Sequence, residues 1–235
     1  MKSHPRQGNP LARWGTIPLY LNRSPVMKKQ LILSLFVVCS LPAAAGEPVA
    51  SGGPKLASGL LMKQEGKLVF APCRDRSYAL VDDVSSGGAL SAALDGIGLG
   101  AGKKLYVEMW GSLEGAVLKA SVLNFARADG RCQPTGGPDE TWRATGSDPA
   151  PWTLAAGGEH LVFKRSGRPE QRLAFKGSQD EAAVSTYRTP PGETPAASWR
   201  FDRKICRDKG SDVVFGWTAT VTVAGEKYQG CAWQR

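Results

Sequence analysis

The stretch DVVFGWTATVTVAGEKYQGCAW, residues 212–233, carries the clearest structural pattern in the chain. From Phe215 to Val223, apolar side chains alternate mainly with threonines, which is typical of an antiparallel strand with one buried face. The turn sequence AGE then leads into a partner strand that runs from Tyr228 to Trp233. We therefore predict a C-terminal hairpin whose apolar face covers a β core.

Cys231, near the end of this hairpin, belongs to an even set of four cysteines that follow the N-terminal segment. None of them has the C-x-x-C spacing of zinc knuckles or thioredoxin-like sites. In an exported chain such a set indicates disulfides, and four cysteines allow three pairings. We predict Cys73–Cys132 and Cys206–Cys231, because the Pro/Gly-rich stretch 133–141 between the two pairs is typical of a domain linker.

Export is predicted from the segment MKKQLILSLFVVCSLPAAAG, which begins at Met27. Its positive start, apolar run of about eight residues and small-residue end are the three parts of a secretory signal, and it is too short to span a bilayer. Ala43 and Ala45 form an A-x-A site, so we predict cleavage near Ala45 and a soluble periplasmic chain. Two alternatives stay open: an uncleaved anchor, and lipid anchoring at Cys39, which the bulky Val38 before it disfavours.

The chain is predicted to divide into five parts. We interpret residues 1–26, which contain four prolines and no periodicity, as a non-native extension from an early start codon, or else as an unusually long start of the signal. The signal peptide occupies residues 27–45. Then follow an OB-like β-barrel domain at 46–132, the linker at 133–141 and a C-terminal antiparallel β domain at 142–235.

Residues 60–132 show a pattern of strands around one helix. GKLVFAPCRDRSYALV, residues 66–81, indicates two strands joined by the polar turn RDRS. SSGGALSAALDG indicates one short helix with Ser86 as its cap, and KKLYVEMWGSL indicates another strand. A last strand is predicted from Val117 to Ala126. Strands around a single short helix favour a small barrel.

These same segments, together with the later GRCQP, resemble the OB-fold domain at the C-terminus of the NlpE-type envelope lipoproteins. The resemblance covers about residues 60–132 and rests on the order of strands and cysteines. It implies an OB barrel in an envelope protein. This chain has no C-x-x-C domain and no good acylation site, both of which are associated with that lipoprotein, so a role in envelope stress signalling is kept only as an alternative function.

The second half is strand-rich. PWTLAAGGEHLVFKRSGRPEQRLAF, residues 151–175, predicts three short strands separated by Gly-containing turns. GSDPAPW, CRDKGSDVVFGWTATVTV and KYQGCAW resemble an uncharacterised family of bacterial envelope proteins whose domain ends in Y-x-G-C-A. This second resemblance covers about residues 141–235. It implies a β architecture and an envelope location, but no activity.

The charge of the chain gives little support to a nucleic-acid partner. Six basic residues and no acid precede residue 46, so the formal net charge of +9 falls to +3 (nine minus six) after cleavage. Basic side chains do crowd around Cys206, with acids between them. We interpret this crowd as a solvated strand edge, with an anionic-partner patch as the alternative. Its members are Arg200, Arg203, Lys204, Arg207 and Lys209.

Catalytic residues are not predicted. His160 is the only histidine after residue 45 and begins a predicted strand, and the G-x-S-x-G turn of hydrolases is missing. The adjacent carboxylates Asp82 with Asp83 and Asp139 with Glu140 would point to opposite sides of an extended chain, which makes them poor acid/base pairs.

A cofactor or metal is not predicted either. GIGLGAG, residues 96–102, follows the predicted helix and does not lie between a strand and a helix, so we interpret it as a connection. The stretch 202–212 mixes basic residues among its acids and does not fit a calcium loop. Tryptophans in or beside the predicted strands are expected to fill the core, although one or two could face a ligand. They are Trp110, Trp142, Trp152, Trp199, Trp217 and Trp233.

We therefore expect a soluble, non-enzymatic periplasmic protein that binds an envelope protein or a cell-wall component, or maintains the envelope. The alternatives are a periplasmic inhibitor of a cell-wall hydrolase, a lipid-anchored lipoprotein related to envelope stress, and an enzyme that uses His160 with nearby carboxylates.

Overall fold

The structure, a computed structural model, describes residues 53–133, 137, 139–175, 179–181, 183–207 and 211–235. The predicted upstream extension, signal peptide, cleavage near Ala45 and alternative anchor at Cys39 lie outside the described residues. The described residues all belong to one compact unit, which is mainly β, as predicted. Their one α-helix has seven residues, and this part of the chain contains no helix that could cross a bilayer.

The described strands and the helix follow one another in two groups. The first group comprises β1 (Lys55–Gln64), β2 (Lys67–Pro72), β3 (Ala79–Asp83), α1 (Ala89–Asp95), β4 (Leu105–Glu114) and β5 (Val117–Arg127). The second comprises β6 (Trp142–Asp148), β7 (Trp152–Gly157), β8 (His160–Arg165), β9 (Gln171–Ala174), β10 (Gln179–Glu181), β11 (Val184–Arg188), β12 (Ala197–Asp202), β13 (Cys206–Arg207), β14 (Val213–Phe215), β15 (Trp217–Val223) and β16 (Glu226–Gln234).

Strands β1 to β5 close into a five-stranded barrel. β1 pairs with β2 and β4, β2 pairs with β3, β3 runs parallel to β5, and β5 closes the barrel by pairing with β4. With one short helix between β3 and β4, this arrangement confirms the predicted OB-like barrel. The alternation predicted for β4 also holds: Leu105, Val107 and Met109 lie in the barrel core, while Tyr106 belongs to a separate cluster outside it.

Helix α1 closes one end of the barrel. Leu90 and Leu94 are buried among the inward side chains of the strands, and Ile97 and Leu99 from the following connection join them. The predicted cap Ser86 is wrong. The helix begins at Ala89, two residues later than that cap requires, because the 3₁₀ turn Ser86–Gly88 precedes it.

The side chains that satisfy the first amides of α1 come from before the 3₁₀ turn. Ser85 Oγ accepts a hydrogen bond from the Leu90 amide (3.0 Å), and Asp83 Oδ2 accepts one from the Ser91 amide (2.8 Å). Burial raises the pKa of Asp83, but the hydrogen bonds from Ser85 and Ser91 outweigh it and hold that pKa below its ordinary value.

The other strands form a nine-stranded antiparallel sheet in the order β10-β11-β12-β15-β16-β6-β7-β8-β9. The sheet curls into a half-barrel around one inner face, as expected for alternating apolar residues. The three strands predicted in residues 151–175 are β7, β8 and β9. Large rings fill the inner face: Trp142, Trp152, Phe163, Phe175, Tyr187, Trp199, Phe201, Trp217 and Tyr228.

The strand predicted through Phe215 and Trp217 is two strands in two different sheets. β14 pairs with β5 of the barrel, whereas β15 pairs with β12 and β16 of the half-barrel. Gly216 lies at the switch, where an added Cβ would collide with the backbone oxygen of Leu123. Phe215 therefore packs with Phe125 of the barrel strand β5, whereas Trp217 lies in the core of the half-barrel. This corrects the prediction of a single strand. The hairpin of β15 and β16 is confirmed.

Both predicted disulfides are present. Cys73–Cys132 ties the β2–β3 turn to the end of the barrel segment, with a Cα–Cα distance of 5.6 Å. Cys206–Cys231 joins β13 to β16, with a Cα–Cα distance of 5.4 Å. Because β13 belongs to the barrel sheet and β16 to the half-barrel, the second disulfide links the two sheets. All barrel-sheet strands precede the stretch 133–141 in the sequence except β13 and β14, which follow it.

A buried polar cluster strengthens the same junction. The side-chain amide of Asn124 donates to the Gln234 carbonyl (2.7 Å) and accepts from the Gln234 amide (2.9 Å), much as a neighbouring strand would. The same amide donates to Glu108, which also accepts from the Tyr106 hydroxyl (2.6 Å). Burial and the bond to Glu108 raise the pKa of Tyr106. The two bonds between Asn124 and Gln234 join β5 of the barrel to β16 of the half-barrel, and the bonds to Glu108 lie within the barrel.

Candidate ligand-binding site

The barrel opens at the end opposite α1. There β2 and β4 end, β3 and β5 begin, and a cavity of about 500 Å³ enters the barrel. We call this opening the barrel mouth. It is lined by Gly53, Lys55, Ala57, Phe70, Pro72, Asp75, Ser77, Tyr78, Ala79, Gly111, Ser112, Leu113, Gly115, Ala116 and Leu118.

The mouth is open because the inward positions around it are small. Ala57 on β1 and Ala79 on β3 face the barrel core but leave space that larger side chains would fill. Phe70 and Leu118, both buried, form the floor of the cavity. An apolar cavity of this volume lies within the range of small-molecule sites.

The rim exposes large apolar side chains. Tyr78 is 69% exposed and Leu113 is 62% exposed, and both line the cavity. Tyr78 ends a turn that is held in place by the Cys73–Cys132 disulfide and by a hydrogen bond from the Cys73 amide to the Ser58 carbonyl (3.1 Å). The rim is therefore built on a fixed loop, and exposed apolar groups beside a cavity are a common mark of a binding site.

Charged side chains surround the same rim. Lys55 lines the cavity, and Arg74 and Arg76 flank Asp75 in the exposed turn. The Asp75 carboxylate accepts hydrogen bonds from the Ser77 hydroxyl (2.5 Å) and amide (2.7 Å), which lower its pKa. None of the three basic side chains has an ion-pair partner within the part of the chain that the structure describes.

The outer side of the barrel continues the apolar surface. Met62, Val69, Leu80 and Val117 are direct cross-strand neighbours on four adjacent strands, with Leu80 42% exposed. We call this row the apolar wall. The ion pair between Lys119 and Asp82 lies one row further from the mouth, on β5 and β3.

A second cavity, of about 550 Å³, lies against β6, β7 and β8 of the half-barrel. Its charges are already matched, since Glu140 pairs with Arg143, and Lys164 pairs with Glu170 at 2.8 Å. Its tryptophan, Trp233, is only 8% exposed because it packs against the rings of the barrel wall. It therefore offers a ligand less unpaired charge than the mouth does.

The basic residues that crowd around Cys206 in the sequence have different partners in the structure. Arg200 pairs with Asp202 on β12 (2.6 Å), and the Arg203 guanidinium lies 5.0 Å from the ring centre of Trp217. Arg203 and Lys204 line a cavity of about 210 Å³ beside α1 and β5. Arg207 donates to the Ser211 carbonyl (3.5 Å). Lys209 lies outside the described residues.

The other residues considered for chemistry are dispersed. His160 is exposed at the start of β8. Asp82 pairs with Lys119 on the barrel surface, while Asp83 turns to the start of α1. Among the described residues, His, Cys, Asp and Glu form no group of three that could hold a metal ion.

The tryptophans fill cores, as expected. Four lie in the half-barrel core and Trp233 lies at the junction, while Trp110 is partly buried in β4. None of the six lines the barrel mouth.

Sequence reasoning missed the mouth. Its lining comes from strands β1, β2, β3, β4 and β5, which are distant in sequence, and its small inward residues carry no motif. The one available signal was the turn RDRS followed by the exposed Tyr78. Comparison with protein-family models, curated proteins and solved structures gives no match.

Proposed function

We propose that this chain is an exported, non-enzymatic binding protein whose barrel mouth receives an apolar group. The observation that carries the proposal is the cavity of about 500 Å³ with an apolar floor and an apolar rim. Export is supported by the signal-like segment from Met27 and by two disulfides, which persist in oxidising compartments.

A binding role also agrees with the shape of the mouth. Its walls belong to a closed barrel, so the site is formed before a ligand arrives and little ordering is needed on binding. The envelope resemblances of both halves favour a ligand found in the envelope. A role in inhibiting a cell-wall hydrolase has no comparable feature in its favour.

The test is binding of the neutral apolar dye N-phenyl-1-naphthylamine to the purified exported protein, followed by fluorescence. We expect saturable binding that weakens about tenfold in Ala57→Leu, because the added side chain occupies the cavity. Thr220→Leu, which adds the same apolar side chain to β15 in the half-barrel, should bind the dye like the wild type, and thermal melting should show both variants folded.

Leu80→Ser separates the mouth from the apolar wall. Leu80 points outward, one residue beyond the inward Ala79, and does not line the cavity. Dye binding should therefore be nearly unchanged in this variant. The proposal is rejected if the wild type does not bind the dye, or if Leu80→Ser loses binding while Ala57→Leu keeps it.

A further inference from the structure

The barrel mouth combines two chemistries within one opening. Inside it, Phe70, Leu118 and Ala79 present only carbon to a ligand. At its edge, Lys55 and the turn with Arg74 present positive charge to solvent. A ligand that satisfies both regions must have an apolar part and a charged part at one end.

The balance of charge at the edge is positive. Lys55 and Asp75 line the cavity, and the turn that carries Asp75 adds Arg74 and Arg76, whereas the end of β4 adds only Glu114. The nearby Lys119 and Asp82 neutralise each other at 2.7 Å. In addition, one carboxylate oxygen of Asp75 already accepts hydrogen bonds from the amide and the hydroxyl of Ser77. The excess positive charge favours a negative group on the ligand.

We infer that the ligand of the barrel mouth is a single-chain amphiphile with an anionic head group, held with its chain in the cavity and its head beside Lys55 and the turn that carries Arg74 and Arg76. The inference rests on the proposed function, since it assumes that the mouth binds an apolar group. The cavity limits the apolar part to one chain, because its total volume is about 500 Å³. Tyr78 and Leu113 line the entry and cover the part of the chain nearest the head.

Three amphiphiles with the same twelve-carbon chain and differently charged head groups test whether the ligand must be anionic. Dodecanoate, dodecan-1-ol and dodecyltrimethylammonium, each below its micelle concentration, compete with the neutral dye for the purified exported protein. We expect dodecanoate to bind about five- to tenfold more tightly than the alcohol, as a few exposed charges allow, and the cationic amphiphile to bind most weakly. The advantage of dodecanoate should shrink at high salt, because exposed charges are screened.

Two variants assign the effect to the rim. Lys55→Gln combined with Arg76→Gln should remove the advantage of dodecanoate over the alcohol. Lys227→Gln, which removes an exposed cation on β16, is the matched control and should keep the advantage. Dodecyl phosphate in place of dodecanoate distinguishes a phosphate head, as in lipids, from a free carboxylate, and tighter binding than the alcohol by either one supports the inference.

The outcomes separate the two proposals. If dodecanoate and dodecan-1-ol bind equally while Ala57→Leu still weakens both, the anionic head is wrong and the apolar site stands. If acetate or inorganic phosphate alone displaces the dye as well as the amphiphiles do, the chain plays no part and the inference is overturned. If neither the dye nor any amphiphile binds, the proposed function itself fails.

Discussion

The barrel and the half-barrel fill their cores with different kinds of side chain. The buried core of the barrel is aliphatic apart from Phe70, and α1 supplies two of its leucines. The half-barrel is filled by rings, with Trp142 stacked on Phe201 (4.2 Å between ring centres) and edge-on to Trp217 (4.9 Å). Rings packed against one another leave little room beside Phe163 and Tyr228, where the cavity has about 150 Å³.

The difference between the aliphatic and the aromatic core explains why the barrel has an opening at one end. An open sheet must fill its inner face from its own strands, and large rings do so because each one covers much surface. A closed barrel with a helix at one end needs less filling, and small residues at its other end leave a mouth. The binding that we propose therefore uses the barrel mouth, while the half-barrel holds the C-terminal strand β16 in its sheet.

The largest expected effect comes from removing a ring in the half-barrel. Trp199 is buried, stacks on Tyr187 and meets Phe175 edge-on (5.4 Å). Trp199→Ala should lower the free energy of unfolding by about 3–5 kcal/mol, and Leu94→Ala in the barrel by about 2–5 kcal/mol, measured by urea denaturation. The Cys206–Cys231 disulfide links the two sheets, and β13 and β14 from the second group of strands lie in the barrel sheet. We therefore expect a single unfolding transition for each variant. Two separate transitions would show that the regions fold independently.

A smaller effect is expected from the disulfide that links the two sheets. Cys206→Ala with Cys231→Ala opens a loop of 25 residues by sequence separation, which corresponds to about 3 kcal/mol in the chain-entropy account. Sequence alone would place the whole loss in the C-terminal half. Since β13 lies in the barrel sheet, the melting curves of barrel and half-barrel should shift together. Near-UV circular dichroism and dye binding at the mouth, followed against temperature, report on the two regions, and a mouth that keeps its wild-type midpoint would contradict this.

The smallest effect concerns the helix that only the barrel contains. Asp83→Asn replaces an acceptor of the Ser91 amide and should cost about 1 kcal/mol at pH 7. The folded pKa of Asp83 lies below its unfolded value near 4, so this contribution is complete above about pH 4 and is lost as the pH falls through the lowered pKa. Urea denaturation of both proteins from pH 7 to pH 2.5 measures the difference. Asp95→Asn, at the exposed end of the same helix, is the control, and an Asp83→Asn difference that persists at pH 2.5 would contradict the assignment.

Local patterns predicted β2 to β5, β7 to β9 and the hairpin of β15 and β16, but several other strands were not predicted, β1 among them. In that strand Gly59 interrupts the alternation, and an added Cβ there would lie 2.5 Å from the ring of Phe70. The ring from β2 fills the place of a side chain that β1 lacks. Which residue of β2 lies beside Gly59 depends on the register of the two strands, so the periodicity of neither strand's sequence reveals this packing.

The candidate site could not be predicted for a related reason. Arg200, Arg203 and Arg207 are close in sequence, yet strand alternation and the change of sheet send them to different surroundings. Ala57 and Ala79 are far apart in sequence, yet the barrel brings both to one mouth. Proximity along the chain is therefore a poor guide to a site on a barrel.

The sequence by itself determined the β character, the C-terminal hairpin, the short helix and the disulfide pairing. The first three follow from local periodicity, and the pairing follows from the linker-like stretch 133–141 between two pairs of cysteines. Only the tertiary structure decided that the chain changes sheets at Gly216 and that the Cys206–Cys231 bond joins two sheets. Periodicity reports which face of a strand is buried but not which sheet buries it. That choice depends on long-range packing, here the close approach of Gly216 to the backbone of β5.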